Sequence, residues 1–125
     1  MSGLDFMLAM LREELSGPPI AALMEYTLRS VKDGRVMFRG APPFQASNPM
    51  GSVHGGWYGT LLDSCMACAV MTKVPKGSVY TTLEYKVNIV RAIPVGTMVD
   101  AIGEIQHAGR STGVAVGEIR GVEDG

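Results

Sequence analysis

The segment covering residues 48–65, NPMGSVHGGWYGTLLDSC, constrains the fold of this chain more than any other stretch. It places a His-Gly-Gly triplet, residues 54–56, directly before a run, residues 57–74, that is apolar at most of its positions. A helix that is apolar around most of its circumference is buried by its surroundings. The sequence therefore predicts one long central helix against which the rest of the chain packs.

The start of this helix is suited to binding a carbonyl oxygen or an anion. The first four N–H groups of a helix have no acceptor within the helix, and Gly55 and Gly56 leave theirs uncovered by side chains. The helix dipole adds a partial positive charge at the same end. We therefore expect the two glycines to form part of a site.

Asp63 is the only acid within the apolar run. A carboxylate buried without partners costs several kcal/mol, so Asp63 needs a water, a hydrogen-bond donor or a substrate beside it. Steps of three or four place it on one helix face with Gly56, Gly59 and Ala67. A capping histidine, a glycine turn and a hydrogen-bonded aspartate would explain each feature separately, but their combination favours a catalytic site.

Length and composition limit the classes of function. A chain of 125 residues with 46% hydrophobic residues forms one domain, residues 1–125, and a domain of this size often gains from self-association. Its net charge is -1, and no basic stripe is interleaved with aromatic residues, so nucleic acid is not an expected partner. Neither a signal peptide nor a membrane span is visible, which predicts a cytoplasmic protein without a membrane partner.

The two cysteines, Cys65 and Cys68, have C-x-x-C spacing. Redox pairs of this type lie at a helix N-terminus, whereas these lie about three turns inside the predicted helix. A zinc site would need two more ligands, and only His54 and His107 are left to supply imidazole. We expect buried structural thiols and no metal.

The remaining patterns predict an α+β domain with one helix against an antiparallel sheet. A short N-terminal amphipathic helix covers residues 4–15 and stops at Gly17-Pro18-Pro19. An irregular loop, residues 41–53, leads to the central helix. The final turn signal, residues 123–125, has no strand after it, so the last edge strand of the sheet is unaccounted for. The predicted strands cover residues 23–31, 35–39, 79–91, 97–107 and 112–122.

Three segments resemble the PaaI-like (phenylacetate-degradation type) thioesterases of the hotdog-fold superfamily. They are NPMGSVHGGWYGTLLD at residues 48–63, TLEYKVNIVRAIPVG at residues 82–96 and HAGRSTG at residues 107–113. The first is fairly specific, and the other two support it. The resemblance implies a curved antiparallel sheet wrapped around the central helix, and hydrolysis of acyl-CoA thioesters.

The resemblance also implies the catalytic roles. Asp63 would activate a water as general base or attack the thioester carbonyl as nucleophile. The N–H of Gly55 would polarise that carbonyl, with His54 and Asn48 flanking it. Thr82 would hold the attacking water, but Thr81 stays an alternative because a shift of one residue in strand register exchanges the two hydroxyls.

Members of this family form their sites across a dimer interface, so a homodimer or a dimer of dimers is implied. The helix N-terminus of one subunit would then meet the acid-bearing helix of the other. CoA is part of the substrate, and no separate cofactor is implied. The residues expected to contact substrate or CoA are Gly56, Arg91, Gly109, Arg110, Ser111 and Thr112.

Two other functions stay open at this stage. His54 and Asp63 could share the proton transfers of a hotdog dehydratase acting on a 3-hydroxyacyl thioester, or the domain could bind acyl-CoA without catalysis. The large side chains of Trp57 and Tyr58, where smaller residues are common in the family, either shape the acyl pocket or pack in the core.

Overall fold

The computed structural model describes residues 1–123, and its architecture is the predicted α+β arrangement. Four strands form one antiparallel sheet in the order β1-β2-β3-β4. The described elements are α1 (Gly3–Leu11), α2 (Pro19–Met24), β1 (Tyr26–Lys32), β2 (Arg35–Gly40), a 3-10 turn (Phe44–Ala46), α3 (Gly55–Met71), β3 (Val99–Ala108) and β4 (Gly113–Gly121). Within residues 1–123, no helix combines the length and the apolar character needed to cross a bilayer.

The central helix α3 packs directly on the inner face of the sheet. A Cβ on Gly103 of β3 would lie 2.3 Å from the backbone oxygen of Cys65, so the helix approaches the strand more closely than a side chain would allow. The part of the interface against β2 and β3 is buried, whereas Leu62, Met66 and Val70, on the side of α3 toward β4, are only partly buried and line a cavity. The completely buried side chains of the interface include Val36, Val99, Ala101, Leu61, Cys65 and Ala69.

Two predictions about the N-terminal region were wrong. The first helix ends at Leu11, not at residue 15, and the first strand begins at Tyr26 because residues 19–24 form α2. Pro19 supplies the fixed φ that suits a first helical position. Glu25 then adopts a left-handed conformation, with φ of 60°, which ends α2 and turns the chain into β1.

The predicted strand at residues 79–91 is not part of the sheet. Strand β4 is an edge strand, and a cavity of about 1500 Å³ lies between it and this segment. Without a neighbouring strand the segment has no ladder to join, and it lies instead along α3. Alternation predicted that one side packs, but on that side Val87 is only partly buried, and Leu83, Tyr85 and Ile89 are 83%, 52% and 53% exposed. Of the predicted final turn, residues 124–125 lie outside the described residues.

Candidate active site

The N-terminus of α3 begins with a histidine cap. Nδ1 of His54 accepts a hydrogen bond from the N–H of Gly56 over 2.8 Å. Because Nδ1 is the acceptor, the proton of the neutral ring is on Nε2. The imidazole is exposed to solvent, so its Nε2–H can donate to a bound molecule.

The N–H of Gly55 has no acceptor within residues 1–123. Gly55 is the first residue of α3, where a backbone N–H lacks an intrahelical partner and the helix dipole is positive. The N–H of Gly56, in contrast, already donates a hydrogen bond to Nδ1 of His54. Of the two predicted glycine donors, Gly55 is therefore the one available for a carbonyl oxygen.

Asp63, two turns further along α3, is held by a side chain from segment 79–91. The hydroxyl of Thr82 donates to Asp63 Oδ1 over 2.9 Å. The carboxylate is half-buried and lines the cavity of about 1500 Å³. The structure therefore brings Thr82, and not Thr81, to the acid. The carboxylate is supported by a hydroxyl and is open to an incoming water.

Gly55 and Asp63 lie too far apart to act on one carbonyl within a single chain. Eight residues of α-helix span about 12 Å, whereas an oxyanion donor and a catalytic base must each lie about 3 Å from the reacting group. The helix face between them is also covered. A Cβ on Gly59 would lie 3.3 Å from the hydroxyl of Tyr85, and a Cβ on Gly55 would lie 3.6 Å from Ile89.

Asn48 stabilises the loop that leads to the helix. Its side-chain oxygen accepts hydrogen bonds from the backbone N–H of Met50 and of Ser52, over 3.0 and 3.1 Å, and from the Ser52 hydroxyl over 3.3 Å. The backbone of the same loop pairs with itself at Ser47 and Val53, just before His54. The amide nitrogen of Asn48 is the part left to contact a substrate.

The residues predicted to contact CoA fall into two groups at opposite ends of α3. Arg91 lies near the N-terminal end, between Ile89, which approaches Gly55, and Ile93, whose N–H donates to the Tyr58 hydroxyl. The hairpin of Gly109, Arg110, Ser111 and Thr112 precedes Gly113, which lies against Val70 near the C-terminal end. The fifteen residue-to-residue steps from 55 to 70 span about 22 Å of helix. Both groups nevertheless line the same cavity of about 1500 Å³, which follows α3 within one chain.

The two aromatic residues after the glycines have different environments. Trp57 is 2% exposed, and its indole N–H donates to the Met24 carbonyl over 3.0 Å. Tyr58 is 6% exposed and lines the cavity, but its hydroxyl already accepts a hydrogen bond from the N–H of Ile93. The large side chain of Trp57 is therefore explained by packing in the core and not by contact with an acyl group.

The cysteines are inert in this setting. Burial raises the pKa of both Cys65 and Cys68 to about 12. The second cause at Cys68 is the nearby carboxylate of Asp63. A thiol with such a pKa is almost entirely protonated near neutral pH and is a poor nucleophile. Among residues 1–123, no group of three or more His, Cys, Asp or Glu side chains is arranged to hold a metal.

Sequence reasoning did not identify Tyr85 and Ile89, which lie against Gly59 and Gly55 on one side of α3. The spacing of Gly56, Gly59, Asp63 and Ala67 predicted a shared helix face lined by small residues around the acid. It did not identify which side chains approach that face, because they lie in a segment that does not follow regular strand geometry. Alternation gave the only signal, since it placed Tyr85 and Ile89 on the packed side.

Residues 50–125 match the family model of the Thioesterase superfamily, and the chain belongs to that family. No curated protein sequence matches the chain.

Solved structures agree with this assignment. A putative thioesterase, a phenylacetic acid degradation-related protein from Ralstonia eutropha, is 25% identical, with a TM-score of 0.84 over 93% of this chain and 89% of that one. The E. coli PaaI protein from the phenylacetic acid degradation operon has a TM-score of 0.83 at 20% identity, over 99% of this chain and 88% of that one, which shows a shared fold. A hypothetical thioesterase protein from Streptococcus pneumoniae, solved with coenzyme A, is 25% identical, with a TM-score of 0.73 over 93% and 85%. The fold is therefore the hotdog fold, and the resemblance to PaaI-like thioesterases is confirmed.

Proposed function

We propose that this protein hydrolyses acyl-CoA thioesters in a site built from two copies of the chain. The observation that carries the proposal is the hydrogen bond from Thr82 to Asp63, a residue of the same helix that begins with the free N–H of Gly55. Family membership supports the reaction class, and the CoA-bound structure of a 25% identical thioesterase supports the thiol component.

The reaction uses water as the nucleophile. Asp63 removes a proton from a water that also hydrogen-bonds to the Thr82 oxygen, and the water oxygen attacks the thioester carbonyl carbon. The developing oxyanion accepts a hydrogen bond from the N–H of Gly55, a contribution of roughly a hundredfold or more in rate. The C–S bond then breaks, and protonated Asp63 returns its proton to the departing thiolate. Direct attack by Asp63 through a mixed anhydride is the other route to the same products.

The second copy is required by distance. Because Gly55 and Asp63 of one chain lie about 12 Å apart along α3, the Gly55 that meets a given Asp63 belongs to the partner. His54 of the same partner helix offers its Nε2–H beside the carbonyl, and Asn48 offers its side-chain nitrogen. A homodimer is the smallest assembly with complete sites, and a dimer of dimers would contain the same sites twice.

The two predicted CoA-binding groups line the cavity next to Asp63. Arg91 and the hairpin of Gly109, Arg110, Ser111 and Thr112 lie near opposite ends of α3, and both are within reach of a CoA that lies along this cavity. Arginine and hairpin N–H groups are suitable donors for its phosphates. The cavity next to Asp63 is lined on the α3 side by Leu62, Met66 and Val70, and part of it accommodates the acyl chain.

The test measures release of free thiol from a panel of acyl-CoAs with a colorimetric thiol reagent. We expect turnover by the wild-type chain, and none by Asp63→Asn although that variant still binds acyl-CoA. Undiminished hydrolysis by Asp63→Asn would refute the assignment of the acid. Formation of an enoyl product without thiol release would indicate a dehydratase, and binding without either product would indicate an acyl-CoA-binding module.

The two-copy site has its own test. Mixing inactive Asp63→Asn with a variant inactive through the helix N-terminus, such as His54→Ala with Gly55→Pro, places an intact acid opposite an intact N-terminus in mixed dimers. Partial recovery of activity on mixing is expected. Its absence, in samples where exchange of subunits is demonstrated, would contradict a shared site.

A further inference from the structure

Two basic side chains, Lys73 and Arg110, line the cavity next to Asp63. Arg110 has no ion-pair partner within residues 1–123. Lys73 has one, since its Nζ lies 3.1 Å from Oδ1 of Asp33 in the turn between β1 and β2. The two side chains of this pair are 36% and 59% exposed. A pair so open to solvent contributes little to stability, so Lys73 can exchange Asp33 for another anion at little cost.

Both cations lie at the C-terminal end of α3. A Cβ on Gly117 of β4 would lie 2.9 Å from Met66, and a Cβ on Gly113 would lie 2.8 Å from Val70. Toward its first residue, β4 therefore runs alongside α3 in the direction of the C-terminus of the helix. The hairpin that precedes Gly113 continues beyond Val70, to the level of Lys73. We call the part of the cavity next to Lys73 and Arg110 the basic end.

The helix terminus itself does not dominate the charge at the basic end. Free carbonyl groups at a helix C-terminus repel an anion, but the last carbonyls of α3 already accept hydrogen bonds. The Cys68 carbonyl accepts from the Thr72 N–H over 3.2 Å, and the Ala69 carbonyl accepts from the Thr72 hydroxyl over 2.6 Å. The two cations also outnumber the one nearby carboxylate, Asp33. This end of the cavity is therefore suited to a ligand with more than one negative charge.

We propose that Lys73, together with Arg110, binds the diphosphate of CoA. The proposal rests on the proposed thioesterase function, which supplies the ligand. Phosphate oxygens are strong acceptors for both ammonium and guanidinium donors. Lys73 leaves Asp33 when the diphosphate binds, so Asp33 competes with the substrate for the same ammonium group.

The length of the CoA arm matches the distance from the acid to the basic end. Thirteen bonds join the thioester sulfur to the first phosphorus, which is about 15 Å when the arm is extended. Thr72 continues the right-handed conformation of α3, with φ of -60° and ψ of -19°, so the ten steps from Asp63 to Lys73 also cover about 15 Å. An extended arm that starts at a thioester held by Asp63 and follows α3 therefore ends at Lys73.

The opposite direction along α3 is less suitable for the arm. From Asp63 the helix extends only about 12 Å to Gly55, which is shorter than the extended arm. In the two-copy arrangement Gly55 also serves the second site. The direction toward Lys73 is the one in which an arm of full length follows the helix of a single chain.

The experiment removes the charge of Lys73 and the diphosphate of the substrate separately. Wild type and Lys73→Gln are compared on the CoA thioester and the pantetheine thioester of one acyl group, because pantetheine keeps the arm but has no phosphate. We expect KM for acyl-CoA to rise roughly tenfold in Lys73→Gln, with KM for acyl-pantetheine unchanged. Lys76→Gln removes a nearby exposed cation that does not line the cavity, and this matched control should leave both constants unaltered.

Asp33→Asn separates binding from a structural role. It breaks the same ion pair as Lys73→Gln but leaves Lys73 without its competitor, so we expect KM for acyl-CoA to fall roughly two- to threefold. A merely structural role of the pair would instead make both variants change in the same direction, for both substrates. That result, or an unchanged KM for acyl-CoA in Lys73→Gln, would overturn the role of Lys73 while leaving the hydrolase intact.

A failure of the proposed function looks different, because wild type would then release no thiol from either thioester. Calorimetry with CoA and with pantetheine decides the question in that case. Equal affinities of wild type and Lys73→Gln for CoA would refute the contact. An affinity of Lys73→Gln that is roughly tenfold weaker for CoA, and unchanged for pantetheine, would support it.

Discussion

Thr82 and Asp63 are joined by a hydrogen bond of 2.9 Å across 19 residues of sequence. The hydroxyl is the donor, since an ionised carboxylate only accepts. Asp63 Oδ1 is thereby fixed, while the lone pairs of the Thr82 oxygen and the second carboxylate oxygen are left for a water. This pair defines where a nucleophilic water would stand relative to α3.

The first prediction concerns Thr82. Thr82→Val preserves the shape of the side chain but removes the hydroxyl, so the carboxylate loses its donor and the water loses one of its two anchors. We expect kcat to fall roughly 10- to 100-fold, with KM for acyl-CoA changed much less. Thr82→Ser should recover most of the rate, because it restores the hydroxyl. Steady-state thiol release measures both constants, and wild-type kcat in Thr82→Val would show that the hydrogen bond has no part in turnover.

The second prediction separates the two roles of His54. His54→Ala removes the acceptor for the Gly56 N–H, and loss of an N-cap costs about 1 kcal/mol of unfolding free energy. His54→Asn keeps a capping oxygen and should keep most of the stability. Both variants lose the Nε2–H, so both should lose activity if that group contacts the carbonyl. Urea unfolding and thiol release on the same samples measure the stability and the activity. Full activity in the Asn variant would show that His54 acts only as the N-cap of α3.

The sequence predicted α3 well, because the features that define this helix are local. Apolar residues around the helix, two glycines at its start and a lone acid within it depend only on helical geometry. The observed helix, Gly55–Met71, ends three residues before the predicted end. The choice of Thr82 over Thr81, in contrast, depends on how segment 79–91 lies on α3, and this is a tertiary contact that alternation alone does not determine.

Non-local contacts also explain the predictions that failed. The alternating segment 79–91 has the composition of a strand, but strand formation requires a neighbouring edge at about 4.8 Å. Its described neighbour is α3, reached through Thr82, Tyr85 and Ile89. The positions of Arg91 and Arg110 near opposite ends of α3 were not predicted either. The two residues are distant in sequence, and no local pattern determines where they lie relative to each other.

The third prediction tests whether Trp57 belongs to the core. Trp57→Phe removes the indole N–H that donates to the Met24 carbonyl and leaves a gap at a 2% exposed position. We expect a loss of about 1–3 kcal/mol in unfolding free energy, with the preference among acyl groups unchanged. The comparison needs a denaturant curve and the relative kcat/KM for short-chain, long-chain and aromatic acyl-CoAs. A changed order of preference would place Trp57 in the acyl pocket after all.

A fourth prediction follows from the close contact between α3 and β3. Gly103→Ala would place a Cβ 2.3 Å from the backbone oxygen of Cys65, and neither backbone can move without disturbing the sheet or the helix. Overpacking of this kind typically costs 1–3 kcal/mol or more, so we expect a marked drop in thermal stability. Gly17→Ala is the control, since nothing lies within 4 Å of its added carbon. Equal melting temperatures for the two variants would contradict the described helix–sheet distance.

The last prediction concerns alkaline pH. Burial raises the pKa of Cys65 and Cys68 to about 12 in the folded chain, whereas an unfolded thiol titrates near 8.5. The folded state therefore binds these protons more tightly, and the corresponding stability is complete below the unfolded pKa and decreases as pH rises toward 12. Burial also raises the pKa of Tyr26 and Tyr80, which adds a loss of the same sign above about pH 10.

The thiol contribution can be isolated by substituting both cysteines with alanine and measuring urea unfolding between pH 7 and 10. Below pH 10 the tyrosines contribute little, so the slope of unfolding free energy against pH should be negative in wild type and flatter in the Cys65→Ala, Cys68→Ala variant. Each slope is taken relative to the same protein at pH 7, which removes the constant cost of the smaller side chains. Parallel slopes would show that the two thiols titrate in the folded chain as they do in the unfolded one, and would place them in contact with solvent.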